Sequence, residues 1–163
     1  LPITVTANQI VDANWNELNF NIANKAVVTG TGLNLNDKVR FKNVLTTGNL
    51  CVDAVVTTKT ITNATIKKYD SGTGAGGTAA NFEADVDISA ANGFAEFQFD
   101  FFTCDTYGTG GQVRVVLKNV AVTAIDIDYY QWNDFTQAES YTLAGNTKLK
   151  ECLITVANAA AGF

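Results

Sequence analysis

The chain has 163 residues, enough for one domain with a sizeable core, and 47% of them are hydrophobic while only 17% are charged. A net charge of −5 with scattered basic residues argues against nucleic acid as a partner. The lack of histidine rules out Ser-His-Asp and Cys-His catalysis, and no run reaches the ~20 apolar residues of a membrane-spanning helix.

Polar surface must then come from uncharged residues. The 21 Thr and 17 Asn supply it, Thr favouring strands and Asn favouring turns. The chain begins Leu1-Pro2 and carries no hydrophobic leader, which reads as a processed mature protein or a fragment.

Strand signals run the length of the chain. Candidates are Ile3 to Ala7, Glu17 to Ile22, Ala26 to Thr29, Lys38 to Val44, Leu50 to Thr57 and Ile61 to Tyr69. Phe82, Ala84, Val86 and Ile88 alternate with Glu83, Asp85 and Asp87, the period of a half-buried strand. Phe97, Phe99 and Phe101 alternate with Gln98 and Asp100 in the same way. Val113, Val115 and Leu117 follow, and Val120, Val122 and Ala124 resume in opposite phase, so a bulge or a bend between two strands is expected near Lys118-Asn119. Ser140 to Leu143 and Lys148 to Ala157 complete the set. Turn signals separate the strands, among them Gly30-Thr31-Gly32, Thr47-Gly48-Asn49, Ala91-Asn92-Gly93 and Gly108 to Gly111. The glycine-rich stretch Ser71 to Thr78 lacks the Lys-Ser/Thr ending of a P-loop and reads as a loop. The expectation is an all-β fold: a single β-sandwich over 1–163, jelly-roll or Ig-like, of about ten antiparallel strands. Residues 1–10 and 153–163 are candidates for strand exchange with a neighbouring molecule.

Three cysteines, Cys51, Cys104 and Cys152, are disulfide candidates. An odd count leaves one thiol unpaired within the chain or joined to another chain, and the spacing does not choose the pair. Asn63-Ala64-Thr65 is an N-glycosylation sequon, which makes Asn63 a glycosylation candidate.

The stretch Ile125 to Phe135 packs acids and aromatics into few residues. Asp126 and Asp128 lie on one face if the strand continues through them, and two close carboxylates favour a cation between them. Asp134, Glu139 and Asp53 from another strand are further oxygen donors for Ca²⁺. The rings of Tyr129, Tyr130 and Trp132 suit stacking on a carbohydrate, and Trp15 between Asn14 and Asn16 raises the same question. Asp85 and Asp87 point to solvent and are not expected to form a glycosidase pair.

The segments Val52 to Thr57, Ala64 to Asp70, Ala95 to Phe101, Val120 to Asp128 and Ser140 to Leu143 together resemble β-sandwich repeats of large secreted surface and adhesin-like proteins of marine microbes. That resemblance covers residues 38 to 155 and implies an extracellular sandwich used in adhesion or scaffolding. The cysteine trio departs from it. The expected function is an extracellular structural subunit of a filament, coat or adhesin, Ca²⁺-stabilised and assembled by strand addition, and not an enzyme. The alternative is a carbohydrate-binding module.

Overall fold

The computed structural model describes residues 9–70 and 80–121. Eight strands lie among them: β1 (Gln9–Asp12), β2 (Lys25–Thr29), β3 (Lys38–Thr47), β4 (Leu50–Thr62), β5 (Ala64–Lys68), β6 (Asp85–Ile88), β7 (Phe94–Thr103) and β8 (Arg114–Lys118). Six form one mixed sheet in the order β1-β8-β7-β4-β3-β2, and β5 pairs with β6 in a second sheet. The described residues contain no α-helix. Antiparallel pairing holds everywhere except at β1, which runs parallel to β8 with Gln9 opposite Val115. The wholly antiparallel expectation is corrected there.

Strand β4 is the centre of the large sheet. It is rich in β-branched Val, Thr and Ile, which fit a pleated, half-buried surface. It pairs with β3 on one side, as far as Thr57, and with β7 on the other from Val52, so Val52 to Thr57 lie between two strands. Every residue from Val52 to Thr58 is buried, on both faces. One face carries the core: Val52, Ala54 and Val56 meet Val39, Phe41, Val44, Leu45, Val11, Ala13 and Val115.

Aromatic rings close this core. Phe82 stands edge-on to Phe20, Phe41, Tyr69, Phe97 and Phe99, with centroids 5.2–6.0 Å apart. Edge-to-face packing sets the positive ring edge on the negative ring face. Tyr69 follows β5 and Phe82 precedes β6, so the ends of the small sheet are fastened to the large one through their rings. The Tyr69 hydroxyl donates to the Val56 carbonyl at 2.7 Å, which satisfies its one polar atom in the core. Burial pushes that phenol's pKa well up.

Strand alternation reads correctly at β7 and β8, where Phe97, Phe101, Val115 and Leu117 face the core. Asp85 and Asp87 on β6 are exposed, as expected. The bend expected near Lys118-Asn119 is present: β8 ends at Lys118 and Asn119 takes φ +54°. The strand expected over Glu17 to Ile22 does not form. Single hydrogen bonds hold this segment, from Asn19 N to Val44 O and from Phe20 N to Ala80 O. The Asn21 side chain then accepts from Ala23 N and starts a 3₁₀ turn over Ile22–Asn24. The strand expected over Ile61 to Tyr69 is divided at Asn63, φ +45°, between the end of β4 and β5. Segments 1–8, 71–79 and 122–163 lie outside the described residues, and with them the strands expected at Ile3 to Ala7, Ser140 to Leu143 and Lys148 to Ala157.

Candidate functional site

The densest polar cluster sits where β3, β4 and the end of β7 meet. Strand β3 bulges there: Phe41 faces Ala54 and Leu45 faces Val52, so Lys42, Asn43 and Val44 lie opposite the single residue Asp53. Asn43 turns left-handed at φ +55°, which takes its N–H out of the ladder. Asp53 recovers it, since Oδ1 accepts from Asn43 N at 2.8 Å. Oδ2 accepts from Arg40 Nε at 3.0 Å, from Arg40 Nη2, and from the backbone N–H of Asp105 at 3.0 Å.

Asp53 is 1% exposed, so an unpartnered carboxylate there would be costly. Arg40 reaches on to Asp105 Oδ1 at 2.9 Å, and Lys42 Nζ joins at 3.0 Å. Lys42, first through its hydrogen bond and then through its charge, holds the Asp105 carboxyl below its ordinary range, with help from Arg40. Asp53 is thus a buried anchor, and Asp105 is the exposed end of the same charge chain.

Beside this cluster a disulfide joins Cys51 on β4 to Cys104 just after β7. Cys104 N donates to Cys51 O at 3.0 Å, which carries the β4–β7 ladder one step past its last strand pair. Two of the three candidate cysteines are therefore partners. Cys152 lies outside the described residues.

Cys51, Cys104 and Asp53 place their donor atoms within 4.8 Å of one another. The two sulfurs are bonded to each other and offer no thiolate, and both Asp53 oxygens already hold N–H donors. In this oxidised state the trio serves as a brace.

A second carboxylate, Asp37, organises the turn before β3. Its Oδ2 accepts from the backbone N–H groups of Thr31, Leu33 and Asn34 at 3.0–3.1 Å, and from the Thr31 hydroxyl and the Asn34 amide. Gly30 is required beside it: φ is +67°, and a Cβ there would stand 1.7 Å from Asp37 Oδ1. The Asn34 N–H leads the causes that hold the Asp37 carboxyl below its usual range.

The remaining sequence candidates separate cleanly. Asn63 is exposed and donates its amide to Ala91 O at 3.1 Å, and Thr65 of the sequon is exposed too. Asp126, Asp128, Asp134 and Glu139, expected to bind Ca²⁺, lie outside the described residues, as do Tyr129, Tyr130 and Trp132. Trp15 is described and stands 63% exposed.

Sequence reasoning singled out Asp53 but not Arg40, Lys42 or Asp105, because strand register is what brings them together. Asp37 had a local signal, an Asn34-Leu-Asn-Asp37 run after Gly30-Thr-Gly32, the composition of a side-chain-capped turn. Comparison with family models, with curated proteins and with solved structures finds no match for this chain.

Proposed function

We propose that this chain is a structural domain of the extracellular space, a disulfide-braced β-sandwich serving as a subunit of a filament, coat or adhesin. The Cys51–Cys104 bond carries this reading. Such bonds persist in secreted and surface proteins and are rare where glutathione keeps thiols reduced. The use of the charged groups supports it. Asp53, Arg40, Lys42 and Asp105 bind one another, and Asp37 binds its own loop, so these groups serve rigidity.

Strand β2 offers the route to assembly. It ends the six-strand order among the described residues, and Ala26 to Thr29 are exposed, with Val27 at 53%. An open edge accepts a strand from a second molecule. Lys25 and the register shift between Val27 and Thr29 limit how much of β2 can be extended. Ca²⁺ in this reading is held by Asp126, Asp128 and Asp134, since Asp53 is engaged by Arg40.

Light scattering on the purified protein, with Ca²⁺ and again with chelator, tests the proposal. Assemblies well above the 17.4 kDa chain are expected, smaller after chelation and smaller in Val27→Lys. A monomer in every condition refutes self-assembly.

A further inference from the structure

Eight non-glycine residues among those described have positive φ: six are Asn, one is Asp, and the eighth is Trp15. Asn and Asp adopt this conformation at little cost, whereas for a bulky side chain it is an outlier. The local geometry explains what forces it. Ala13 to Asn16 form a hairpin-like turn closed by Asn16 N to Ala13 O at 2.9 Å, with Asn14 at φ +50° and Trp15 at φ +60°. That is a type I′ turn, whose preferred central pair is Asn-Gly. Trp15 occupies the glycine position.

The turn is also pinned. Ala13 N donates to Lys118 O at 2.9 Å and Trp15 N to Asn119 O at 2.7 Å, which docks it on the end of β8. Asp12 Oδ1 accepts from Asn14 N at 2.8 Å, and the Asn119 amide donates to both Asp12 oxygens. The backbone is thus over-determined, and the indole is carried outward on a rigid mount.

Among the described residues the indole makes no hydrogen bond or ring contact. The ring is 63% exposed. Strain and lost burial are both costs, and such costs persist where a partner uses the group. The surroundings say which partner. Asn14 and Asn16 flank the ring, both exposed, and their side-chain amides make no hydrogen bond to described residues. The Asp12 and Asn119 side chains are taken up by each other, and the chain carries a net charge of −5. An exposed flat apolar ring with an exposed amide on either side of it in the chain suits the apolar face and hydroxyl rim of an uncharged sugar, and the net negative charge disfavours a polyanion.

We infer that Trp15, with Asn14 and Asn16, forms a binding platform for a neutral glycan, the indole stacking on a pyranose face and the amides bonding its hydroxyls. The site is independent of the assembly proposed above.

Affinity electrophoresis in native gels containing laminarin, xylan, mannan or hydroxyethylcellulose tests it, with alginate as the anionic control. At least one neutral polymer should retard the wild type, and alginate should not. Trp15→Gly keeps the turn, as the preferred Asn-Gly pair, and should weaken retardation roughly tenfold or more, the usual scale for losing a Trp anchor. Trp15→Tyr should retain part of it, and Asn14→Gly should weaken it less than Trp15→Gly. The thermal midpoint of Trp15→Gly should equal or exceed that of the wild type, which separates lost binding from lost folding. Equal migration of wild type and Trp15→Gly in every neutral gel overturns the proposal. So does a Trp15→Gly protein that unfolds more easily, since the indole would then be part of the fold.

Discussion

Asp105 and Trp15 have nearly the same backbone, φ +59° and φ +60°, and put it to opposite uses. At Asp105 the left-handed turn aims an N–H into the buried Asp53 carboxylate and lets the Asp105 side chain meet Lys42 and Arg40. Both oxygens of the buried Asp53 carboxylate have N–H partners there. At Trp15 the same conformation holds a large, mostly exposed apolar ring between two Asn residues whose amides bond no described residue. At the first turn the conformation costs an Asp little and gains internal bonds, while at the second it strains a bulky residue with no such bond from its side chain among the described residues. The contrast separates a brace from a binding surface.

The comparison breaks first at Asp53. Asp53→Ala removes the buried acceptor of Arg40 Nε and of two backbone N–H groups, leaving Arg40 only Asp105, and should cost about 3–5 kcal/mol in urea unfolding. Asp53→Asn should cost less, because an oxygen acceptor remains. A change under about 1 kcal/mol for Asp53→Ala would mean that the corner is hydrated and does not brace the sheet.

The disulfide comes next. Cys51 and Cys104 are 53 residues apart, so their bond removes a long loop's freedom from the unfolded chain. The double variant Cys51→Ser, Cys104→Ser should lose about 2–4 kcal/mol and keep its strand content by circular dichroism. Total loss of that signal would show the sheet to depend on the bond for formation and not only for stability.

Acid sensitivity sharpens the picture at a third place. The folded state lowers the pKa of Asp37, through the Asn34 N–H first, below its ordinary 3.8. A depressed carboxyl binds its proton less readily folded than unfolded. Its contribution is therefore present above the unfolded value and is lost as pH falls through the folded one. Stability should fall below about pH 4, and the fall should be shallower in Asp37→Asn. Asp12 and Asp105 are shifted the same way, so the difference between variant and wild type is the quantity to measure.

These regions differ in how far the sequence revealed them. Alternation over Phe97 to Phe101 and Val113 to Leu117 placed β7 and β8 and their inward faces. Composition placed a strand over Leu50 to Thr57, but alternation did not show which way β4 faces, because a central strand buried on both faces has none from Val52 to Thr58. Glu17 to Ile22 looked like a strand by composition, but Asn21 capped a turn there instead. Asp53 was visible as an acid within a strand. Its partner Arg40 lies 13 residues away, and the two meet through a β3–β4 register that the bulge at Asn43 resets. The cysteine pairing has the same origin, since it depends on β4 lying beside β7. Only the Asn content spoke directly, since six of the left-handed positions are Asn.

Trp15 is where the smallest energy carries the sharpest distinction. An Asn-Trp pair in a type I′ turn places a β-carbon where the turn prefers none, and strain of this kind is worth about 1–3 kcal/mol. Trp15→Gly removes that strain and also frees the unfolded chain, which offsets part of the gain. The net expectation is a protein about 1 kcal/mol more stable, or unchanged, by urea unfolding. Ordinary exposed-to-glycine changes do not behave this way, since they lose entropy without recovering strain. A stabilised variant would show that the fold tolerates Trp15 at a cost. A destabilised one would mean that the indole packs on its own turn, and the two left-handed sites would then be two braces after all.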